Sequence, residues 1–120
     1  MKIFDSRLHG SVDYAVVAFL FISPYFFGSP EKTALFTYVL GGIHLALTLF
    51  TNFELGFWKV IPFRVHGLIE LVVAFALFGV AYYLGGIEGD LPKYFYSAFG
   101  LAVLLVWLLT DYKSTKSSGY

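Results

Sequence analysis

The sequence predicts an all-α membrane protein in which four transmembrane helices form two tandem helical hairpins in a parallel pseudo-repeat. The composition, four long apolar segments and one recurring motif support this prediction. Hydrophobic residues make up 58% of the 120 residues and charged residues 13%, against about 25% charged in an average soluble domain. A soluble domain of this size cannot bury so much apolar surface. We therefore expect residues 1–120 to form a single domain inside a bilayer.

Four segments have the length and apolarity of a membrane span. A helix needs about 20 mostly apolar residues to cross a bilayer, and the segments that meet this requirement are residues 8–27, 33–51, 64–84 and 93–110. Residues 55–63 are too few to span. Because Phe57, Trp58 and Ile61 stand beside Lys59 there, we expect this segment to be a connection at the membrane interface.

The orientation follows from the basic residues outside the spans, since Lys and Arg are enriched in cytoplasmic loops. Six lie on the side of the two termini and the middle loop: Lys2, Arg7, Lys59, Arg64, Lys113 and Lys116. Only Lys32 and Lys93 lie on the other side. The sequence therefore predicts a multi-pass inner-membrane protein with both termini in the cytoplasm.

Charge and cysteine content exclude several classes of function. The formal net charge is zero, and without a basic patch we expect no nucleic-acid partner. The chain has no cysteine, which excludes disulfides and thiolate metal sites.

The first apolar segment lacks the small-residue cleavage site of a signal peptide. The expected partner is the lipid bilayer, and a second copy of the chain or another membrane protein stays open.

A motif at the start of the first span returns at the start of the third. The run R-L-H-G-S-V-D at residues 7–13 recurs as R-V-H-G-L-I-E at residues 64–70, 57 positions later, and T-N-F at residues 51–53 recurs as T-D-Y at residues 110–112. This pattern predicts one hairpin repeat over residues 7–54 and a second over residues 64–113. Both hairpins start and end on the same side, so the repeat is parallel, which does not exclude a transporter.

The first span also contains a short motif near its end. Ser23-Pro24-Tyr25 matches two of the three positions of a Ser-Pro-Trp motif, and the chain thus resembles the SPW-repeat integral membrane proteins. The resemblance covers nearly the whole chain. It implies a fold of two-helix repeats and a membrane location, and it implies no catalytic residue.

Five ionisable residues lie inside the predicted spans, where such residues are rare and usually face the interior of the bundle. They are His9, Asp13, His44, His66 and Glu70. His9 and Asp13 are four residues apart, as are His66 and Glu70, so each pair shares one helix face. The sequence therefore predicts a His/carboxylate polar centre.

The depth of these residues follows from the rise of about 1.5 Å per helical residue. Asp13, His44 and Glu70 are each about 8 to 10 Å inside the cytoplasmic end, and the other two histidines lie about one turn closer to it. Small residues let membrane helices approach closely. Gly10 and Gly67 follow the first and third histidines, and Gly41 and Gly42 precede the second. Val103 stands opposite His44 in the repeat. We therefore expect one asymmetric centre in the cytoplasmic leaflet.

Three occupants suit this set of side chains. All five residues, His9, Asp13, His44, His66 and Glu70, are candidate ligands of a divalent metal such as zinc, iron or manganese. A carboxylate beside a histidine can also relay a proton near neutral pH. A haem held between His9 and His66 is a third option.

Structural interpretations of the same residues stay open. His9 and His66 are also compatible with positions at the headgroup level. Asp13 and Glu70 are also compatible with buried neutral acids that bond other side chains and hold helices together, the candidate partners being Tyr14, Ser11 and Thr48.

Three functions follow from these alternatives. The first is a centre that binds or conducts a metal ion or a proton. The second is a structural or partner-binding membrane subunit without its own chemistry. The third is a metal-dependent intramembrane enzyme. No H-E-x-x-H motif, E-x-x-H pair or phosphate-binding glycine loop is present, so no catalytic residue is assigned.

Overall fold

The computed structural model describes residues 4–112 of the chain. These residues form four helices and two very short strands, namely α1 (Ser6–Phe27), α2 (Glu31–Phe50), β1 (Thr51–Asn52), β2 (Ile61–Pro62), α3 (Phe63–Glu88) and α4 (Asp90–Leu109). Each helix is long and apolar enough to cross a membrane. The prediction of four long apolar helices is confirmed at this level. The largest difference in bounds is at the end of α3, which continues four residues beyond the predicted span.

The extended end of α3 carries a side chain that bonds the start of α2. The Glu88 carboxylate accepts hydrogen bonds from the backbone N–H of Lys32 at 2.9 Å and of Thr33 at 2.6 Å. The first N–H groups of a helix have no partner within the helix, and no side chain of the N-cap residue Pro30 bonds them. Glu88 therefore ties the second half of the chain to the first.

Two helical hairpins result, because α1 packs along α2 and α3 packs along α4. A glycine lies at the close contact within each. A Cβ atom on Gly41 would lie 3.3 Å from the Cβ of Leu20, and one on Gly100 would lie 3.3 Å from the Cβ of Leu77. Gly42 differs from its neighbour, because a Cβ atom there would meet nothing within 4 Å. Only one glycine of that adjacent pair serves helix packing.

Backbone pairing closes the end of the bundle at which α1 and α3 begin. Thr51 pairs with Ile61 in the parallel β1–β2 contact. Phe4 pairs with Thr110 in the same parallel sense, with Phe4 N–H donating to the carbonyl of Leu109 at 2.8 Å. Thr51 directly follows α2, and Ile61 lies shortly before α3. Likewise Thr110 directly follows α4, and Phe4 lies shortly before α1. The starts of α1 and α3 are thereby held beside the ends of α2 and α4.

Apolar side chains cover the outer surface of the helices, while the interior holds both apolar residues such as Leu20 and many polar ones. Large apolar side chains are exposed around the helices, Tyr25 to 89% and Tyr82 to 86%. Polar side chains, by contrast, are buried between the helices, as in the bond between Thr37 Oγ1 and Tyr96 Oη. The ionisable residues lie inside as well, which places the candidate site in the interior of the bundle.

Candidate metal centre

His9 and His66 meet at the end of the bundle where α1 and α3 begin. Both side chains are fully buried, and their ring centroids are 5.4 Å apart with the planes at 82°. Neither ring is in contact with solvent, so both face the interior of the bundle, and their depth in a membrane stays a prediction. Phe63 packs edge-on against His9 with 5.5 Å between the centroids and helps to fix that ring.

The Nδ1 atom of each imidazole faces a threonine hydroxyl from the other hairpin. His9 Nδ1 lies 2.8 Å from Thr110 Oγ1, at the end of α4. His66 Nδ1 lies 2.7 Å from Thr51 Oγ1, at the end of α2. The two histidines thus have the same kind of partner at the same ring atom.

These threonines determine which ring nitrogen carries the proton. Thr110 Oγ1 donates to the carbonyl of Val106 at 2.6 Å, and Thr51 Oγ1 donates to the carbonyl of Leu47 at 2.6 Å. A hydroxyl has a single hydrogen, so toward the imidazole it can only accept. Nδ1 must therefore carry a hydrogen in both histidines, and in a neutral imidazole Nε2 then presents a lone pair.

Both Nε2 atoms face the same two carboxylates. Glu70 Oε2 lies 2.8 Å from His9 Nε2 and 2.5 Å from His66 Nε2. Asp13 Oδ2 lies 3.0 Å from His66 Nε2 and 3.3 Å from His9 Nε2. Both carboxylates are buried. Carboxylate oxygens and imidazole lone pairs repel one another at such distances unless a proton or a cation lies between them.

The four side chains offer a ligand set of the size that a metal ion requires. One ligand atom each from His9, Asp13, His66 and Glu70 lies within 4.8 Å of every other. Ligand atoms about 2.0 to 2.1 Å from a tetrahedral zinc are about 3.4 Å apart. The nitrogen-to-oxygen distances in this group are 2.5 to 3.3 Å, shorter than this value, so a bound ion would require the ligand atoms to move apart.

His44 lies beside this group and outside it. Its Nε2 atom is 3.4 Å from Asp13 Oδ1 and makes no hydrogen bond to any of the described residues. The structure thus brings four of the five candidate ligands together and places the fifth at the edge. Val103 on α4 stands 59 positions after His44, so α4 offers no histidine at the corresponding position.

A cavity of about 170 Å³ adjoins the group on the side of Asp13 and Glu70. Asp13, Glu70 and His44 line it together with apolar side chains from all four helices, among them Val103. The imidazoles of His9 and His66 are not part of its wall. The two carboxylates therefore separate the histidine pair from this cavity.

The alternative bonding partners of the two acids are engaged elsewhere. Tyr14 Oη donates to the carbonyl of Leu55 at 2.8 Å, and Ser11 Oγ donates to the carbonyl of Arg7 at 3.1 Å. Thr48 Oγ1 donates to the carbonyl of His44 at 2.8 Å. The acids are instead partnered by histidines.

The sequence interpretation missed three residues that complete the site. Two are Thr51 and Thr110. The third is Tyr112, whose Oη lies 3.5 Å from Glu70 Oε1. Burial, and then the negative charges of Glu70 and Asp13, raise the pKa of Tyr112 well above its usual value, so the phenol keeps its proton. All three belong to the repeated T-N-F and T-D-Y triplets, and the recurrence of a threonine there was the signal that could have revealed them.

The chain matches no protein-family model, no curated protein and no solved structure. The resemblance to the SPW-repeat membrane proteins therefore stays a prediction.

Proposed function

We propose that this chain is a membrane-embedded four-helix protein that binds one divalent metal ion between His9, Asp13, His66 and Glu70. The centre would lie in the cytoplasmic leaflet, with both termini in the cytoplasm. Three of the lysines that support this orientation, Lys2, Lys113 and Lys116, lie outside the described residues. The proposal rests on the side-chain distribution, on matched contacts and on the bonding of the histidines.

Membrane insertion is supported by the apolar outer surface of the four helices. Four helices have the length and apolarity of spans, and aromatic and aliphatic side chains cover their outer faces. In water that surface would lose the hydrophobic stabilisation that burial provides. In a bilayer the same surface is in its preferred solvent, and the buried polar groups are the ones that need partners.

A tandem repeat is supported by contacts that occur twice. The Gly41–Leu20 contact has its counterpart in Gly100–Leu77, at the positions that the offsets of 59 and 57 residues relate. The bonds from His9 to Thr110 and from His66 to Thr51 are likewise counterparts. We infer that the two hairpins are related by an axis along the membrane normal.

The observation that carries the metal assignment is the orientation of both imidazoles. The threonines require a hydrogen on Nδ1, which is the arrangement of metal-bound histidines, whose second ring nitrogen donates to an outer partner. The lone pairs on the two Nε2 atoms then converge with two carboxylates. Two carboxylates and neutral imidazoles carry two negative charges, and a divalent cation neutralises them inside an apolar bundle.

Zinc, manganese and iron are the ions that suit two imidazoles and two carboxylates. Soft thiolate and thioether ligands, which select copper(I), do not occur among these four. A haem between His9 and His66 would have to displace Glu70, because both Nε2 atoms bond the same carboxylate oxygen. A divalent ion requires no such displacement.

A proton relay is the second candidate, and one observation favours it. Glu70 Oε2 bonds both imidazoles, which forms a continuous chain from His9 through the carboxylate to His66. Protons on the two Nε2 atoms would neutralise the acids as well as a metal does. The structural subunit and the intramembrane enzyme stay as further alternatives, neither with a comparable observation in its favour.

Metal content separates these candidates. The protein is purified without chelator or nickel affinity, and bound metals are measured by mass spectrometry in wild type, in Glu70→Gln and in Glu31→Gln. Glu31 is an exposed acid at the start of α2 and provides the matched control. We expect about one metal ion per chain in wild type and Glu31→Gln, and a marked loss in Glu70→Gln. Metal-free wild type that zinc, manganese and iron do not stabilise contradicts the proposal and favours the relay or the structural subunit.

A further inference from the structure

The cavity beside the candidate metal centre has the size of a small-molecule site. Its volume is about 170 Å³, and an engineered apolar cavity of about 150 Å³ in another protein takes up benzene. Helices α1, α2, α3 and α4 all contribute apolar side chains to the wall. The space is therefore suited to one molecule of about six to eight non-hydrogen atoms.

One region of the wall differs from the rest. Asp13 Oδ1 and His44 Nε2 lie 3.4 Å apart, and both residues line the cavity. His44 Nε2 is buried and makes no hydrogen bond within residues 4–112, although buried polar atoms normally have a partner. A single hydroxyl oxygen can reach both atoms at hydrogen-bond distance.

We propose that this cavity binds a small uncharged molecule of the size of phenol. Its hydroxyl would donate to the Asp13 carboxylate and accept from His44, and its apolar body would pack against the wall that includes Val103. A charged molecule would lose its hydration without compensation from the apolar wall. The inference extends the proposed function, since Asp13 and Glu70 belong to both sites, and it names a ligand that would lie against the metal centre.

The proposed site has a polar histidine on the α2 side only. The repeat counterpart of His44 is Val103, which lines the same cavity. The hydroxyl therefore has a polar partner on the α2 side and an apolar surface on the α4 side. Valine at position 103 leaves more space for the apolar part of the ligand than a histidine would.

The test uses 4-fluorophenol and fluorobenzene as probes, observed by fluorine NMR with the full-length protein in nanodiscs and with empty nanodiscs as background. We expect saturable binding of 4-fluorophenol to wild type. Fluorobenzene should bind at least about tenfold more weakly, because it lacks the hydroxyl and with it both hydrogen bonds. His44→Leu should reduce the difference between the two probes, because only the hydrogen bond to Asp13 then remains.

Two valine-to-phenylalanine substitutions, one inside the cavity and one outside it, test where the probe binds. Val103→Phe fills the cavity and should weaken 4-fluorophenol binding at least about tenfold. Val72→Phe, at a position that is 62% exposed on α3, should leave binding unchanged. Val106→Phe, also in the cavity wall, repeats the test if Val103→Phe does not fold.

Metal content is measured in the same samples. Wild type with a full metal complement and no saturable probe binding overturns the ligand site alone. Equal weakening by Val72→Phe also overturns it, because the probe then partitions into the helix surface. Metal-free protein that zinc, manganese and iron do not stabilise but that binds 4-fluorophenol overturns the metal centre and supports the ligand site.

Discussion

His66 Nδ1 lies 2.7 Å from Thr51 Oγ1, although α3 and the end of α2 belong to different hairpins. The hydroxyl gives its only hydrogen to the carbonyl of Leu47, so the imidazole is the donor. His9 has the same relationship with Thr110. The two bonds hold both imidazoles so that their Nε2 atoms face the carboxylates.

Removal of one threonine hydroxyl should weaken metal binding without removing a ligand. Thr51→Val keeps the shape of the side chain but leaves Nδ1–H of His66 without an acceptor in a buried place. We expect metal affinity to fall about 10- to 100-fold, the usual effect of losing an outer partner of a ligand histidine. Competition with a fluorescent chelator measures the affinity.

Two further variants control this experiment. Thr51→Ser retains the hydroxyl and should keep metal affinity close to wild type. Thr110→Val should cause a loss similar to that of Thr51→Val, because His9 has the equivalent bond. Unchanged affinity in both valine variants would mean that the threonines do not orient metal ligands.

Metal affinity should fall as the pH is lowered. The bound form needs neutral imidazoles and ionised carboxylates, so protons compete with the metal for the same atoms. The decrease should be steepest where the imidazoles of the metal-free centre take up protons. Calorimetric titrations in buffers of different ionisation enthalpy count the protons released. Binding without proton release at any pH would contradict a site of this composition.

The topology can be tested with single cysteines, since the chain has none. We expect Trp58→Cys to be protected from an impermeant thiol reagent in intact cells and Glu31→Cys to be labelled. The reason is the excess of Lys and Arg on the side of the middle loop. The opposite labelling pattern would reverse the orientation. Ser117→Cys, which should also be protected, lies outside the described residues.

Substitution of the adjacent glycines Gly41 and Gly42 should have different effects on the unfolding free energy, because only Gly41 lies at a helix contact. A side chain at Gly41 would press on Leu20 and Phe21, whereas one at Gly42 would meet nothing within 4 Å. Gly41→Val should lower the unfolding free energy by about 1 to 3 kcal/mol, as overpacking usually does. Gly42→Val has the same helix propensity change and should cost less. Denaturation in mixed micelles compares the two, and equal effects would contradict the observed packing.

The four helices and the approximate place of the polar centre could be predicted from the sequence, because both depend on local patterns. An apolar run of about 20 residues specifies a span by its length. A spacing of four residues places His9 with Asp13, and His66 with Glu70, on one face of a helix. Neither inference requires knowledge of which helices are neighbours.

Only the tertiary structure decided which side chains complete the site. Contacts such as His9 with Thr110 join residues 101 positions apart, and no local pattern specifies them. Depth counted along the helix also ignores side-chain direction, although helical side chains lean toward the N-terminus of their helix. Asp13 and Glu70 therefore reach back toward the histidines one turn before them. His44, on the antiparallel α2, leans the opposite way, which explains why it lies against the cavity and outside the group of four.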